Sequence, residues 1–114
     1  MTLDIDGLTG DPALAARIRA RLGRELRRLT VAPVSATATF VDDDGPKGGP
    51  ARRCALTVRL PYRPALHAEE SATTARLAFD GAVARLERQL ERYRERQRER
   101  RRRPKKYYAA KRLL

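Results

Sequence analysis

The apolar residues Phe79, Val83, Leu86, Leu90 and Tyr93 recur every three or four positions and then stop. A stripe with that spacing is one face of an α-helix that buries a single side. From Arg94 to Lys106 no large apolar residue follows, while most positions are basic. The helix is therefore expected to leave its own core and gather cationic charge beyond it, a shape suited to lie against a polyanion.

The charge of the whole chain is placed in the same way. Of a formal +12 on 114 residues, residues 1–83 carry 12 basic and 10 acidic side chains, whereas residues 84–114 carry 14 and 4. A net +10 thus sits in the last 31 residues. Phosphate is the expected counterpart. A chain this long buries one modest core and no second one.

Several classes drop out. No run of about 18 apolar residues is present, so no membrane span is expected. Asp4, Asp6 and Asp11 interrupt the first 20 residues, which leaves no secretory signal and points to a cytoplasmic protein. Cys54 is the single cysteine and falls on the inward phase of a strand, so it reads as a small buried hydrophobe. His67 is the single histidine and reads as a polar residue on the outer face of a strand. Without a second histidine or a nearby cysteine, neither a metal site nor a catalytic triad has support. No enzyme, cofactor or small-molecule substrate is expected.

The remaining elements follow from periodicity. Leu3 and Ile5 alternate with Asp4 and Asp6 before Gly7, which predicts a short strand and a turn. Asp11 and Pro12 supply an N-cap and a first-turn proline. The helix they open buries Leu14, Ile18, Leu22, Leu26 and Leu29, with Arg17, Arg21, Arg24 and Arg28 as a cationic flank. Val34, Ala36, Ala38 and Phe40 then alternate with Ser35, Thr37, Thr39 and Val41, and Cys54, Leu56, Val58 and Leu60 with Arg53, Ala55, Thr57 and Arg59, so two antiparallel strands are expected around the flexible loop Asp42 to Pro50. After a turn at Pro61 to Pro64, Leu66 and Ala68 alternate with His67 and Glu69 as a last strand. The hydroxyls between Ser71 and Thr74 should cap the long helix.

The predicted fold is α+β, in the order β-α-β-β-β-α, with two helices on one face of a four-stranded sheet. Residues 1–103 form the domain. Pro104 should end or kink the long helix and leave 104–114 as a basic tail, which the residues read equally as a disordered basic end or as a segment whose Tyr107 and Tyr108 stack on bases. Glu87, Glu91, Glu95 and Glu99 form one i,i+4 row beside Arg88, Arg92, Arg96 and Arg100, and Glu91 with Arg94 and Glu95 with Arg98 can pair at i,i+3, which lets the helix persist in solvent.

These residues resemble the ribosome hibernation-promoting factors, a family that includes the ribosome-associated translation inhibitors. The resemblance rests on LDIDG at Leu3 to Gly7, basic residues at Arg21 and Arg24, and the pair His67-Ala68. It continues through Phe79-Asp80 and the run Arg85, Leu86, Gln89 and Leu90, with Arg88, Arg92, Arg94 and Arg96 where the family's second helix is basic. It covers about residues 2–97. The turn GLTGDP is shorter than usual, Arg76-Leu77 replaces a common aromatic position, and the tail from Arg101 has no counterpart.

The resemblance implies a fold like that of double-stranded-RNA-binding domains, docked in the decoding region of the small ribosomal subunit and holding the ribosome idle under stress or in stationary phase. The implied partners are the small subunit and its rRNA. The chain lacks the dimerisation domain of the long family members, so it is expected to be monomeric when free and not to drive ribosome dimerisation itself. On this reading Arg17, Arg21, Arg24, Arg28, Arg85, Arg88, Arg92, Arg94 and Arg96 form a continuous strip for rRNA phosphates. The residues also leave open a general RNA-binding module, or a regulator whose long helix pairs with an acidic protein.

Overall fold

The first helix starts where its chemistry dictates. The Asp11 carboxylate accepts from the Leu14 amide at 3.1 Å, and Pro12 occupies the first helical position. Gly7, at φ +80°, turns the chain out of the preceding strand beside the Phe40 carbonyl. A computed structural model, describing residues 1–29, 31–42 and 51–102, gives β1 (Thr2–Asp6), α1 (Pro12–Leu26), β2 (Ser35–Asp42), β3 (Arg52–Arg59), β4 (Leu66–Ala72) and α2 (Ala75–Arg102).

The four strands lie in chain order. β1 pairs parallel with β2 because α1 carries the chain back between them, while β2, β3 and β4 pair antiparallel. β1, β2 and β4 consequently point the same way, and each helix returns against its preceding strand. The two helices therefore run parallel to each other. Ala38, Leu56 and Ala68 stand side by side across three strands; the small residues let helices settle close to the sheet.

Both helices cover one sheet face, as the two stripes predict. Leu14, Ile18, Leu22 and Leu26 of α1 and Phe79, Val83, Leu86 and Leu90 of α2 join Ala36, Phe40, Cys54 and Val58 in one buried cluster. Full burial of each large side chain contributes about 1.5–3 kcal/mol. Cys54 lies inside it, and burial pushes its thiol up to about 12. On the open face, the row Thr37, Thr57, His67 crosses β2 to β4. His67 is exposed there, with Nδ1 2.9 Å from Thr57 Oγ1 and Nε2 2.8 Å from Glu69 Oε1.

Some boundaries differ from expectation. Val34 is not an inward strand residue: it precedes β2 and is 57% exposed, though its amide still donates to the Arg59 carbonyl at 2.8 Å. Leu60 is buried but lies just past β3. β4 runs on through Ser71 and Ala72, because β3 still offers Arg53 and Arg52 as partners. Capping of α2 thus falls to Thr74, whose Oγ1 accepts from the Leu77 amide at 3.2 Å. The loop expected over Asp42 to Pro50 lies, from residue 43, outside the described residues. So do the Pro104 boundary and the tail with Tyr107 and Tyr108.

α2 is far longer than the sheet beneath it. Its 28 residues extend about 42 Å at ~1.5 Å per residue, against about 24 Å for the 7 residues of β4. The packed part ends at Tyr93, which is partly buried against the core. The remaining turns, from Arg94 to Arg102, carry no apolar residue.

Candidate nucleic-acid interface

Helix phase divides the arginines into two sets. At ~100° per residue, Asp80, Glu87, Glu91 and Arg94 line the side of α2 that meets α1. Arg85, Arg88, Arg92 and Arg96 lie between its solvent-facing crest and the β4 edge. The parallel course of the helices brings Arg17 and Arg21 of α1, and Arg28 in the turn just past its end, against that first side in register.

Each of these three finds a carboxylate. Arg17 Nη2 donates to Asp80 Oδ1 at 3.1 Å, and Arg21 Nη2 donates to Glu87 Oε2 at 3.3 Å. Arg28 Nη2 lies 3.5 Å from Glu91 Oε2, which also accepts from Arg94 Nη1 at 3.4 Å. The partners are about half exposed except on the Arg21 side, so each pair contributes at most ~1 kcal/mol. Their main effect is positional. They fix the distance between the helices and neutralise the cations involved.

Glu25 sits beneath this seam and is only 5% exposed. Its oxygens lie 3.6 Å from Arg21 Nε and 3.7 Å from Arg28 Nη1. Burial and the neighbouring Glu87 carboxylate push the Glu25 carboxyl above the ordinary range, outweighing the pull of the two arginines. Desolvation wins because neither arginine is close enough for a strong charge-assisted hydrogen bond.

Arg85 is engaged on the opposite side. Its Nε donates to Glu70 Oε2 at 2.9 Å, which ties α2 to β4. Gly81 makes room for this, since a Cβ there would stand 2.5 Å from Glu70 Cγ. Arg24, Arg88, Arg92 and Arg96 remain. All four are exposed, and among the described residues none has a carboxylate within ion-pair distance. Of the nine arginines singled out from the sequence, these four are free to meet phosphate without first leaving a carboxylate among the described residues.

The nine arginines singled out from the sequence thus do not form one uniform strip. Four are uncompensated, and five are held by carboxylates in the seam or at the β4 edge. The Glu91 to Arg94 pair is the one the i,i+3 spacing predicts; Asp80, Glu25, Glu70 and Glu87, and the reach of Glu91 to Arg28, were not recognised as partners. The spacing from Arg21 to Glu25 is a visible i,i+4 signal, but the cross-helix pairs depend on two parallel helices being neighbours. Among the described residues, no group of three or more His, Cys, Asp or Glu is placed to hold a metal ion, and no helix is long and apolar enough to cross a membrane.

Residues 3–98 match the family model described as Sigma 54 modulation protein / S30EA ribosomal protein. Among solved structures, the chain is similar to the Protein Y N-terminal domain of Thermus thermophilus, at 25% identity and a TM-score of 0.61, over 81% of this chain and 94% of that one. Its fold is also similar to that of a ribosomal subunit interface protein from Coxiella burnetii, at 19% identity and a TM-score of 0.58, over 83% and 99% of the two chains. No curated protein sequence matches it.

Proposed function

We propose, because this chain belongs to the Sigma 54 modulation protein / S30EA ribosomal protein family, that it is a ribosome-binding translation inhibitor acting in the cytoplasm. Members of that family are ribosome-associated factors and not enzymes. The chain occupies the decoding region of the small subunit, contacts its rRNA, and keeps ribosomes inactive during stress or stationary phase. Occupancy alone suffices for inhibition, so no catalytic step is invoked.

The observation that carries this reading is the set Arg24, Arg88, Arg92 and Arg96, exposed and uncompensated on the outer surface of the helical layer. Guanidinium groups on a helix whose backbone is already fixed are placed for phosphate, and only their side-chain rotamers remain to be ordered on binding. The carboxylate-held arginines set the helix spacing that presents them.

The test combines sedimentation with footprinting. Purified protein should travel with small subunits or whole ribosomes at low salt, suppress cell-free translation, and protect decoding-region rRNA from chemical modification. Simultaneous Arg24→Glu, Arg88→Glu and Arg92→Glu should abolish all three effects with the fold intact. Protein that stays at the top of the gradient would overturn the proposal. Equal binding to any RNA would indicate a general RNA-binding module, and binding to neither would favour an acidic protein partner.

A further inference from the structure

The turn between β3 and β4 holds a tyrosine in an arrangement that local structure does not require. Tyr62, between Pro61 and Arg63, has φ +60° and is fully exposed, at 105% of its reference area. A bulky side chain rarely adopts the left-handed region, and glycine or asparagine would make such a turn at less strain. The ring buries nothing in exchange. Strain of this kind persists only where the surroundings enforce it, and here they do. Prolines stand at 61 and 64, and the Arg63 guanidinium lies over the Tyr93 ring, 5.3 Å from its centroid, pinning the turn to α2.

The neighbourhood is cationic. Arg59 is exposed at the end of β3, and Arg92 and Arg96 flank Tyr93 on α2 as exposed residues. No acidic residue occurs between Asp44 and Glu69 in the sequence. Glu95 and Glu99, the exposed acids on this part of α2, make no ion pair among the described residues. A surface of this sign is matched to a polyanion.

We propose that Tyr62 is a stacking platform for an unpaired base of single-stranded RNA, with Arg59, Arg63, Arg92 and Arg96 placed to take the phosphates on either side. Duplex RNA hides its base faces, so an aromatic ring held out in solvent selects unpaired nucleotides, while arginines track the backbone. This deepens the proposed function and rests on its assignment of Arg92 and Arg96 to RNA.

The chain contains no tryptophan, so Tyr62→Trp in the full protein introduces a single indole reporter. It is titrated at low salt with a single-stranded nine-nucleotide oligoadenylate and with a hairpin duplex, while anisotropy of dye-labelled RNA reports binding separately. The oligoadenylate should quench the indole at least twofold and the duplex should not. Tyr62→Ala should weaken oligoadenylate binding about tenfold or more, the scale of one base–aromatic stack. Tyr62→Phe should bind like the parent, and the salt slope should be unchanged in both variants. Unaltered emission at saturation, wild-type affinity of Tyr62→Ala, or equal quenching by polyglutamate would overturn the assignment. Co-sedimentation of the unaltered protein with ribosomes is scored independently, so failure of the ribosomal reading is distinguishable from failure at Tyr62.

Discussion

The side-chain amide of Gln89 donates to the main-chain carbonyl of His67 at 2.7 Å, joining α2 to the free edge of β4 across 22 positions of sequence. Both residues belong to the pattern by which the chain resembles its family. Gln89→Ala should cost about 1 kcal/mol or less, because the exposed carbonyl can turn to water. Urea denaturation measures it. A loss of several kcal/mol would mean that the amide also orders residues beyond this bond.

Gly7 and Gly10 offer a controlled comparison. Both have positive φ, but a Cβ at Gly7 would collide with the Phe40 carbonyl oxygen, whereas nothing lies within 4 Å of one at Gly10. Gly7→Ala must displace β2 or the turn and should cost more than about 2 kcal/mol. Gly10→Ala should cost only about 1 kcal/mol. Thermal midpoints of the two variants give the ordering directly, and equal losses would show that conformation alone, not the collision, governs Gly7.

Glu25 gives a pH signature. Its neutral form is favoured in the fold, so its contribution to stability is fully present below the ordinary carboxylate value of 4.5 and is lost as pH rises through its raised value. Glu25→Gln keeps a neutral group at every pH. The variant should unfold at or above the wild-type temperature at pH 7, with the difference shrinking as pH falls past 4.5. A variant that is less stable at pH 7 would show that the attraction of Arg21 and Arg28 outweighs desolvation.

The two classes of arginine should separate in salt titrations of RNA binding. Each uncompensated arginine that neutralises a phosphate adds roughly 0.7–0.9 to the steepness of log affinity against log salt. Replacing Arg24, Arg88, Arg92 and Arg96 by Gln should therefore lower the slope by about 3. Arg17→Gln and Arg21→Gln should leave the slope nearly unchanged and lower stability by up to ~1 kcal/mol each. Equal slopes for both sets would show that RNA displaces the seam carboxylates.

Cys54 should resist thiol reagents in the native state, since it is fully buried and its thiol ionises only near pH 12. Labelling in rising urea should follow the global unfolding transition. Rapid modification in native buffer would reveal local opening of β3.

The elements and the core were legible in the sequence because their apolar residues alternate or recur with the correct period. Ile18, Leu56, Phe79 and Leu86, all placed in the core from spacing alone, are fully buried. Cross-element electrostatics were not legible. Whether Glu87 supports its own helix or reaches Arg21 depends on strand order, which sets two helices side by side and parallel. The left-handed Tyr62 was also hidden, since its conformation comes from the prolines and from Arg63 resting on a ring 30 positions away. Val34 kept the strand's phase but lay past the end of the sheet.

The overhang of α2 has the properties of a ruler. No side chain of the core reads its length, so a turn could be inserted or removed beyond Tyr93 without repacking anything, each one moving the terminal cations by about 5.4 Å. Substitution before Tyr93 is policed by shape, and after it only by charge and helix propensity. Related chains are thus free to differ in reach while keeping the same body, and reach becomes the quantity matched to the depth of whatever cleft receives the helix.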